Sequence, residues 1–118
     1  MFDLRGKAAI IGAMAQKTPQ KTTLKNETPE QRFASLCKAI VSLKTEDEVK
    51  RFFVDLCTPG EMKDFGERWL IARLLDQGES SYREIAALTG ASTTTVGRVA
   101  RFLQQEPHKG YKKVLERI

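Results

Sequence analysis

The chain has 118 residues, a length typical of a single domain, and a formal net charge of +5. Its basic composition, with a pI of about 9.4, favours a polyanionic partner. No apolar run is long enough to span a membrane and no segment has the pattern of a secretory signal peptide. We therefore expect a cytoplasmic protein without a membrane partner.

Residues 1–28 are predicted to be a flexible basic tail, followed by one domain over residues 29–118. The tail holds five Lys or Arg against two acids, so it carries +3 of the net charge and leaves +2 for the rest of the chain. Its beginning, FDLRGKAAIIGA, resembles the first strand and turn of a short-chain dehydrogenase, but the next residues lack the further glycines of a dinucleotide-binding turn. Two roles stay open for the tail: plain disorder, and a basic arm that contacts phosphates.

Three helices are predicted between residues 28 and 78. Each begins at a threonine that is followed three residues later by Gln or Glu, as in a capping box: the pairs are Thr28–Gln31, Thr45–Glu48 and Thr58–Glu61. Apolar residues then recur at spacings of three and four, which is typical of amphipathic helices. The third helix is expected to end at Gly78 and carries apolar residues on more than one face. We expect several of its sides to be buried, in part by a second subunit.

Residues 81–103, SYREIAALTGASTTTVGRVARFL, are predicted to form two short helices joined by a tight turn. Ser81 and Glu84 fit a capping box, Gly90 suits the turn, and Ser92 can cap the second helix. The apolar residues expected to face a core are Ile85, Ala86, Leu88, Val96, Val99 and Leu103. This is the pattern of a helix-turn-helix, whose second helix enters the DNA major groove. The alternative is an ordinary helical hairpin with solvated threonines and arginines.

A final helix is predicted to begin near Pro107, which gives an all-α fold of about six helices. Cys37 and Cys57 are expected to be reduced core thiols, and His108 a surface or cap residue. The sequence has no histidine pair, no Cys–His set and no phosphate-binding glycine loop. We therefore expect no catalytic residues, no metal site and no cofactor, and hence no enzyme.

The helix-turn-helix contains the candidate DNA contacts. Backbone N–H groups at the start of its first helix suit a phosphate, while threonine and arginine on its second helix can contact bases or phosphates. The predicted DNA-binding residues are Ser81, Tyr82, Arg83, Ser92, Thr93, Thr94, Thr95, Arg98 and Arg101. Because acids lie beside these basic residues, a helix-turn-helix module that binds a protein, with weak or no DNA binding, is the alternative function.

From about Phe33 to Leu115 the chain resembles the tryptophan-repressor-like proteins, most closely their YerC/YecD subgroup. The stretches that carry the resemblance are LCKAIVSLKTEDEVKRFFVDLCTPGEM, RWLIARLLDQGESSYREIAALTGASTTTVGRVARFL and GYKKVL. The resemblance implies an intertwined all-helical homodimer that binds double-stranded operator DNA and regulates transcription, as a repressor.

The resemblance also bears on a small-molecule effector. The tryptophan repressor binds its amino acid through a threonine before a proline, an arginine on the long helix and an arginine on the recognition helix, and the matching positions are Thr58, Arg68 and Arg98. Where the repressor has a glycine and a serine, this chain has Val99 and Phe102, which are expected to fill a degenerate effector pocket. We therefore expect regulation that does not depend on tryptophan. The same three residues can be explained without a ligand: Thr58 as a helix cap, Arg68 as the partner of Asp64 or of another acid, and Arg98 as a phosphate contact.

Overall fold

The computed structural model describes residues 24–118. Most of the predicted tail, including its dehydrogenase-like segment, lies outside the described residues. Residues 29–118 form six α-helices and no strand, which confirms the all-α prediction. The helices are α1 Pro29–Val41, α2 Glu46–Leu56, α3 Pro59–Gln77, α4 Tyr82–Thr89, α5 Thr93–Gln104 and α6 Gly110–Arg117.

Capping residues set the starts of these helices as the sequence predicts. The hydroxyls of Thr28, Thr58 and Ser81 each accept a hydrogen bond, at 3.1 Å, from the backbone amide three residues later. In all three cases the Gln or Glu side chain at that position accepts from the amide of the capping residue, which completes the box. At α2 the box is shifted, because Glu48 accepts from the Lys44 amide at 2.9 Å rather than from the Thr45 amide.

The described residues divide into two compact units between residues 49 and 50. In the C-terminal unit α3, α4 and α5 pack against one another, and α6 packs against α5. The buried side chains of this unit are Ile71, Ala72, Ile85, Val96, Val99, Ala100 and Leu103. All of them belong to the helix-turn-helix or to the helix that precedes it, so the core fixes the position of α5.

Three expectations from the sequence are wrong in detail. Leu88 is 69% exposed, because the face that α4 turns inward consists of Ile85, Ala86 and Thr89. The last helix begins at Gly110 rather than near Pro107, since Lys109 adopts a left-handed backbone conformation with φ 59°. Cys37 is an exposed free thiol instead of a core residue.

The first two helices bury little. Neither α1 nor α2 contains a buried residue, and Phe33, Val41 and Val54 are each more than three-fifths exposed.

Within residues 24–118, no helix combines the length and apolarity needed to cross a membrane. The same residues contain no group of three or more His, Cys, Asp or Glu side chains placed to hold a metal ion.

Candidate nucleic-acid interface

A short, well-bonded turn joins α4 to α5. Gly90 adopts φ 78° and donates its amide to the Ala86 carbonyl at 2.9 Å. Within the turn, the Thr89 hydroxyl donates to the Ile85 carbonyl at 2.8 Å and accepts from the Ala91 amide at 3.2 Å. These bonds satisfy polar groups that the end of α4 would leave unpaired, and they set the direction in which α5 starts.

The second helix of the motif, α5, has two chemically different faces. Val96, Val99 and Leu103 are buried with Ala100 in the core. The opposite side carries exposed hydroxyls and guanidinium groups and no acidic residue, since α5 reads TTTVGRVARFLQ. The exposed residues of α5 are Thr93, Thr94, Arg98, Arg101 and Gln104. An α-helix is about 10–12 Å across with its side chains, which suits the roughly 12 Å width of a DNA major groove.

Two of the predicted DNA-contacting hydroxyls also serve the cap of α5. Ser92 Oγ accepts from the Thr95 amide at 3.1 Å and lies 3.1 Å from Thr95 Oγ1. Thr95 is half-buried, whereas Thr93 and Thr94 are exposed and take no part in this cap. The threonines therefore differ: Thr93 and Thr94 present their side chains outward, and Thr95 helps to hold the start of the helix.

The start of α4 combines a cap with exposed basic and aromatic residues. Ser81 Oγ accepts from the Glu84 amide, and the Glu84 carboxylate accepts from the Ser81 amide at 2.7 Å. Because the cap uses those two amides, the N–H groups of Tyr82 and Arg83 are the ones in the first turn that a helix leaves without a partner. Both residues are exposed. A phosphate is the kind of group that such amides bind, although the Glu84 carboxylate at the same place opposes an anion.

An aromatic ring lies under the two arginines of α5. The Cζ atoms of Arg98 and Arg101 lie 4.4 Å and 5.0 Å from the centre of the Phe102 ring. His108 stacks on that ring with 6.0 Å between ring centres. Glu106 lies between the two ends of the cluster, with carboxylate oxygens 3.7 Å from Arg101 Nε and 3.8 Å from His108 Nε2. Sequence reasoning missed this cluster, although the i,i+4 spacing of Arg98 and Phe102 was a readable signal.

An open groove of about 550 Å³ lies beside the cluster. Its walls come from α3, α5, α6 and the turn before α6, and they include Arg68, Trp69, Arg98, Phe102, His108 and Tyr111. Val99 also lines the groove, although only 1% of it is exposed. Val99 and Phe102 are expected to fill the degenerate effector pocket. In the single chain, an open groove nevertheless lies beside both residues.

The residues predicted to match the effector site of the tryptophan repressor do not all meet at this groove. Arg68 and Arg98 line it, but Thr58 is engaged as the cap of α3 and is not among the lining residues. Among the described residues Arg68 forms no ion pair with Asp64 or another acid, and its guanidinium lies instead over the Phe65 ring at 5.8 Å. The i,i+4 ion pair on α3 joins Lys63 and Glu67, and its hydrogen bond raises the pKa of Lys63 above the ordinary value.

The fold and this exposed face define a helix-turn-helix protein of the DNA-binding class. The family profile described as Trp repressor protein matches residues 31–118. The uncharacterized protein YerC of Bacillus subtilis (strain 168) is 41% identical over 83 residues, which cover 70% of this chain and 78% of that protein.

Two crystal structures are similar to the described fold. A TrpR-like protein from Eubacterium eligens matches with a TM-score of 0.68 and 40% identity, over 80% of this chain and 93% of that chain. A candidate Trp repressor from Staphylococcus aureus matches with a TM-score of 0.67 and 30% identity, over 86% and 94% of the two chains. The chain therefore belongs to the Trp repressor family, which is a family of DNA-binding regulators and not of enzymes.

Proposed function

We propose that the protein is a sequence-specific transcriptional repressor that binds double-stranded DNA as a homodimer and does not need tryptophan. The observation that carries this proposal is the exposed surface of α5, where Thr93, Thr94, Arg98 and Arg101 are exposed while the apolar face of the same helix is buried. Threonine supports base contacts and arginine supports both guanine and phosphate contacts. A face of this composition with no acid among its helix residues fits a polyanion better than it fits ordinary solvation.

The apolar surface of α1 and α2 supports the homodimer. On α1, Phe33 is 66% exposed and Val41 is 82% exposed, and on α2, Val54 is 63% exposed, although each helix has a clear apolar stripe. Large apolar side chains left exposed on a helix are often covered at subunit interfaces. A symmetric dimer presents two recognition helices about 34 Å apart, one turn of DNA, and each then reads half of a palindrome.

Independence from tryptophan is supported by how the matching residues are used. Thr58 caps α3, the Arg68 guanidinium lies over the Phe65 ring, and the Arg98 guanidinium lies over the Phe102 ring. Each of the three therefore has a partner within the chain. The neighbouring groove is large enough for a small molecule, so the test includes tryptophan explicitly.

The test is a selection of genomic DNA fragments by the purified protein, with and without L-tryptophan. The proposal predicts one palindromic sequence, recovered equally in both arms. A palindrome recovered only with tryptophan contradicts the effector-free part of the proposal. If a folded dimer enriches no sequence in either arm, sequence-specific DNA binding is contradicted and the protein-interaction module is favoured.

Arg98→Ala provides the residue-level test on the recovered duplex. We expect about a tenfold loss of affinity at fixed salt, with the salt dependence of binding reduced by about one phosphate contact per subunit. Arg73→Ala is the matched control, because Arg73 is an exposed arginine of α3 that lies over the Trp69 ring at 5.5 Å. Equal affinity of the Arg98 variant and the control, both folded and dimeric, contradicts the proposed contact.

A further inference from the structure

Phe102 is the centre of a cluster that includes both exposed arginines of α5. We call this set the arginine platform: the Phe102 ring, the Arg98 and Arg101 guanidinium groups over it, and His108 stacked on it. The ring itself is half-buried, so its position is fixed by the fold. Arg98 lies four residues before Phe102, so helical spacing places its side chain beside the ring. Arg101 directly precedes Phe102, and its contact depends on the reach of its long side chain, which places Cζ 5.0 Å from the ring centre.

The platform restrains side chains that would otherwise be mobile. An exposed arginine has many rotamers, and fixing it on binding costs conformational entropy. The negative face of an aromatic ring attracts a guanidinium group, so the ring favours a small set of arginine positions before any partner arrives. Glu106 adds a second restraint on Arg101, with 3.7 Å between its carboxylate oxygen and Arg101 Nε. Ordering a binding group in advance raises affinity because less entropy is lost on binding.

The contacts of Phe102 also explain why an aromatic residue, and not an aliphatic one, occupies this position at the wall of the groove. A leucine would occupy similar space there but would offer no aromatic face to a guanidinium group. The aromatic character of Phe102, and not only its bulk, is therefore matched to the two arginines that the proposed DNA contact uses.

We propose that Phe102 is a positioning residue of the DNA interface, whose ring holds Arg98 and Arg101 ready for DNA. The inference rests on the proposed DNA-binding function. The ring belongs to the chain, so this ordering needs no bound effector and is present in the free protein. The arginines of the recognition helix are therefore ordered for DNA binding at all times. In a protein that needs an effector, they would be ordered only when the effector is bound.

The test compares Phe102→Leu with Phe102→Trp on the duplex recovered by the wild-type protein, at one salt concentration. The leucine variant removes the ring that orders both arginines before binding, so this ordering must occur on the DNA, and we expect the affinity to fall about five- to thirtyfold. The tryptophan variant keeps an aromatic face and is expected to bind within about threefold of wild type. Phe65→Leu is the matched control: it removes the ring under Arg68 on α3, 5.8 Å away, and is expected to leave DNA affinity unchanged.

A second measurement tests the platform in the free protein. NMR signals of the Arg98 and Arg101 side chains are expected to show ring-current shifts and slow guanidinium motion in wild type and in Phe102→Trp, and to lose both in Phe102→Leu. Unshifted, mobile arginines in the wild-type protein overturn the inference even if the leucine variant fails to fold.

Three further outcomes distinguish a failure of the positioning role of Phe102 from a failure of the proposed DNA-binding function. If the wild-type protein binds DNA and Phe102→Leu binds equally well, the inference is wrong and the proposed function stands. If the leucine and tryptophan variants weaken binding equally, Phe102 acts only by packing, and the inference is again wrong. If the wild-type dimer binds no DNA, the proposed function fails and the inference fails with it.

Discussion

At the scale of single residues, Glu84 has two effects that oppose each other. Its carboxylate completes the cap of α4 by accepting from the Ser81 amide at 2.7 Å. The same negative charge lies at the helix start where the Tyr82 and Arg83 amides and the Arg83 side chain favour a phosphate. The capping geometry needs an acceptor oxygen but not a full charge, because glutamine serves equally in a capping box.

We therefore expect Glu84→Gln to tighten DNA binding about two- to fivefold at 0.1 M salt, because one repulsive charge near the phosphates is removed. The free energy of unfolding should fall by no more than about 1 kcal/mol, since the cap is kept and only the attraction between the negative charge and the helix start is lost. Titration of the selected duplex and urea denaturation measure the two quantities.

Glu48→Gln is the matched control, because Glu48 is also a capping glutamate but lies outside the helix-turn-helix. If both variants tighten DNA binding to the same extent, the effect is one of net charge alone, and the start of α4 has no special part in it.

At the scale of elements, the conformation of Gly90 decides how α4 leads into α5. Its φ of 78° is left-handed, and a Cβ built there would have no atom within 4 Å. Any cost of a side chain at this position is therefore a cost of backbone conformation and not of a clash. Gly97 has equally open surroundings but lies inside α5, where glycine is a poor helix former.

The same substitution at these two glycines is expected to have opposite effects. Gly90→Ala should lower the free energy of unfolding by about 1 kcal/mol because alanine is strained in the left-handed region. Gly97→Ala should raise it by about 0.5–1 kcal/mol because alanine favours the helix. Urea denaturation at equal protein concentration measures both, and a destabilised Gly97→Ala variant would show that α5 needs glycine for another reason.

At the scale of the whole molecule, burial is unevenly distributed. The helix-turn-helix and α3 supply all the buried residues of the described chain, whereas α1 and α2 supply none. In a single chain the proposed recognition helix, α5, is therefore packed against a core, whereas large apolar side chains of α1 and α2 are exposed to water. Covering such side chains with a second copy gains about 25 cal/mol for each Å² of apolar surface removed from water.

We expect Phe33→Glu to dissociate the proposed homodimer, because the charge would have to be buried among apolar side chains. Analytical ultracentrifugation at micromolar concentration measures the shift to monomer, and the melting temperature of the wild type should rise with protein concentration. Leu88→Glu is the matched control, because Leu88 is similarly exposed at 69% but belongs to α4. A Phe33→Glu protein that stays dimeric would exclude this surface from the interface.

Much of the local structure could be predicted from the sequence. The starts of α1, α3, α4 and α5 follow from capping residues whose partners lie only three positions away, and the end of α3 follows from Gly78. Val96, Val99 and Leu103 were correctly placed in the core by their spacing on one helix. The resemblance to the Trp repressor family was likewise carried by residue order alone, and it is confirmed by the comparisons.

The sequence by itself therefore determined the helices, the helix-turn-helix and the family, because these depend on neighbours within a few residues or on residue order. Tertiary structure decided which side of α4 is buried, and so left Leu88 in water. It also decided the stacking of His108 on Phe102 and the groove between α3, α5 and α6. Those features depend on how separate elements pack, and one-dimensional spacing does not encode which elements will meet.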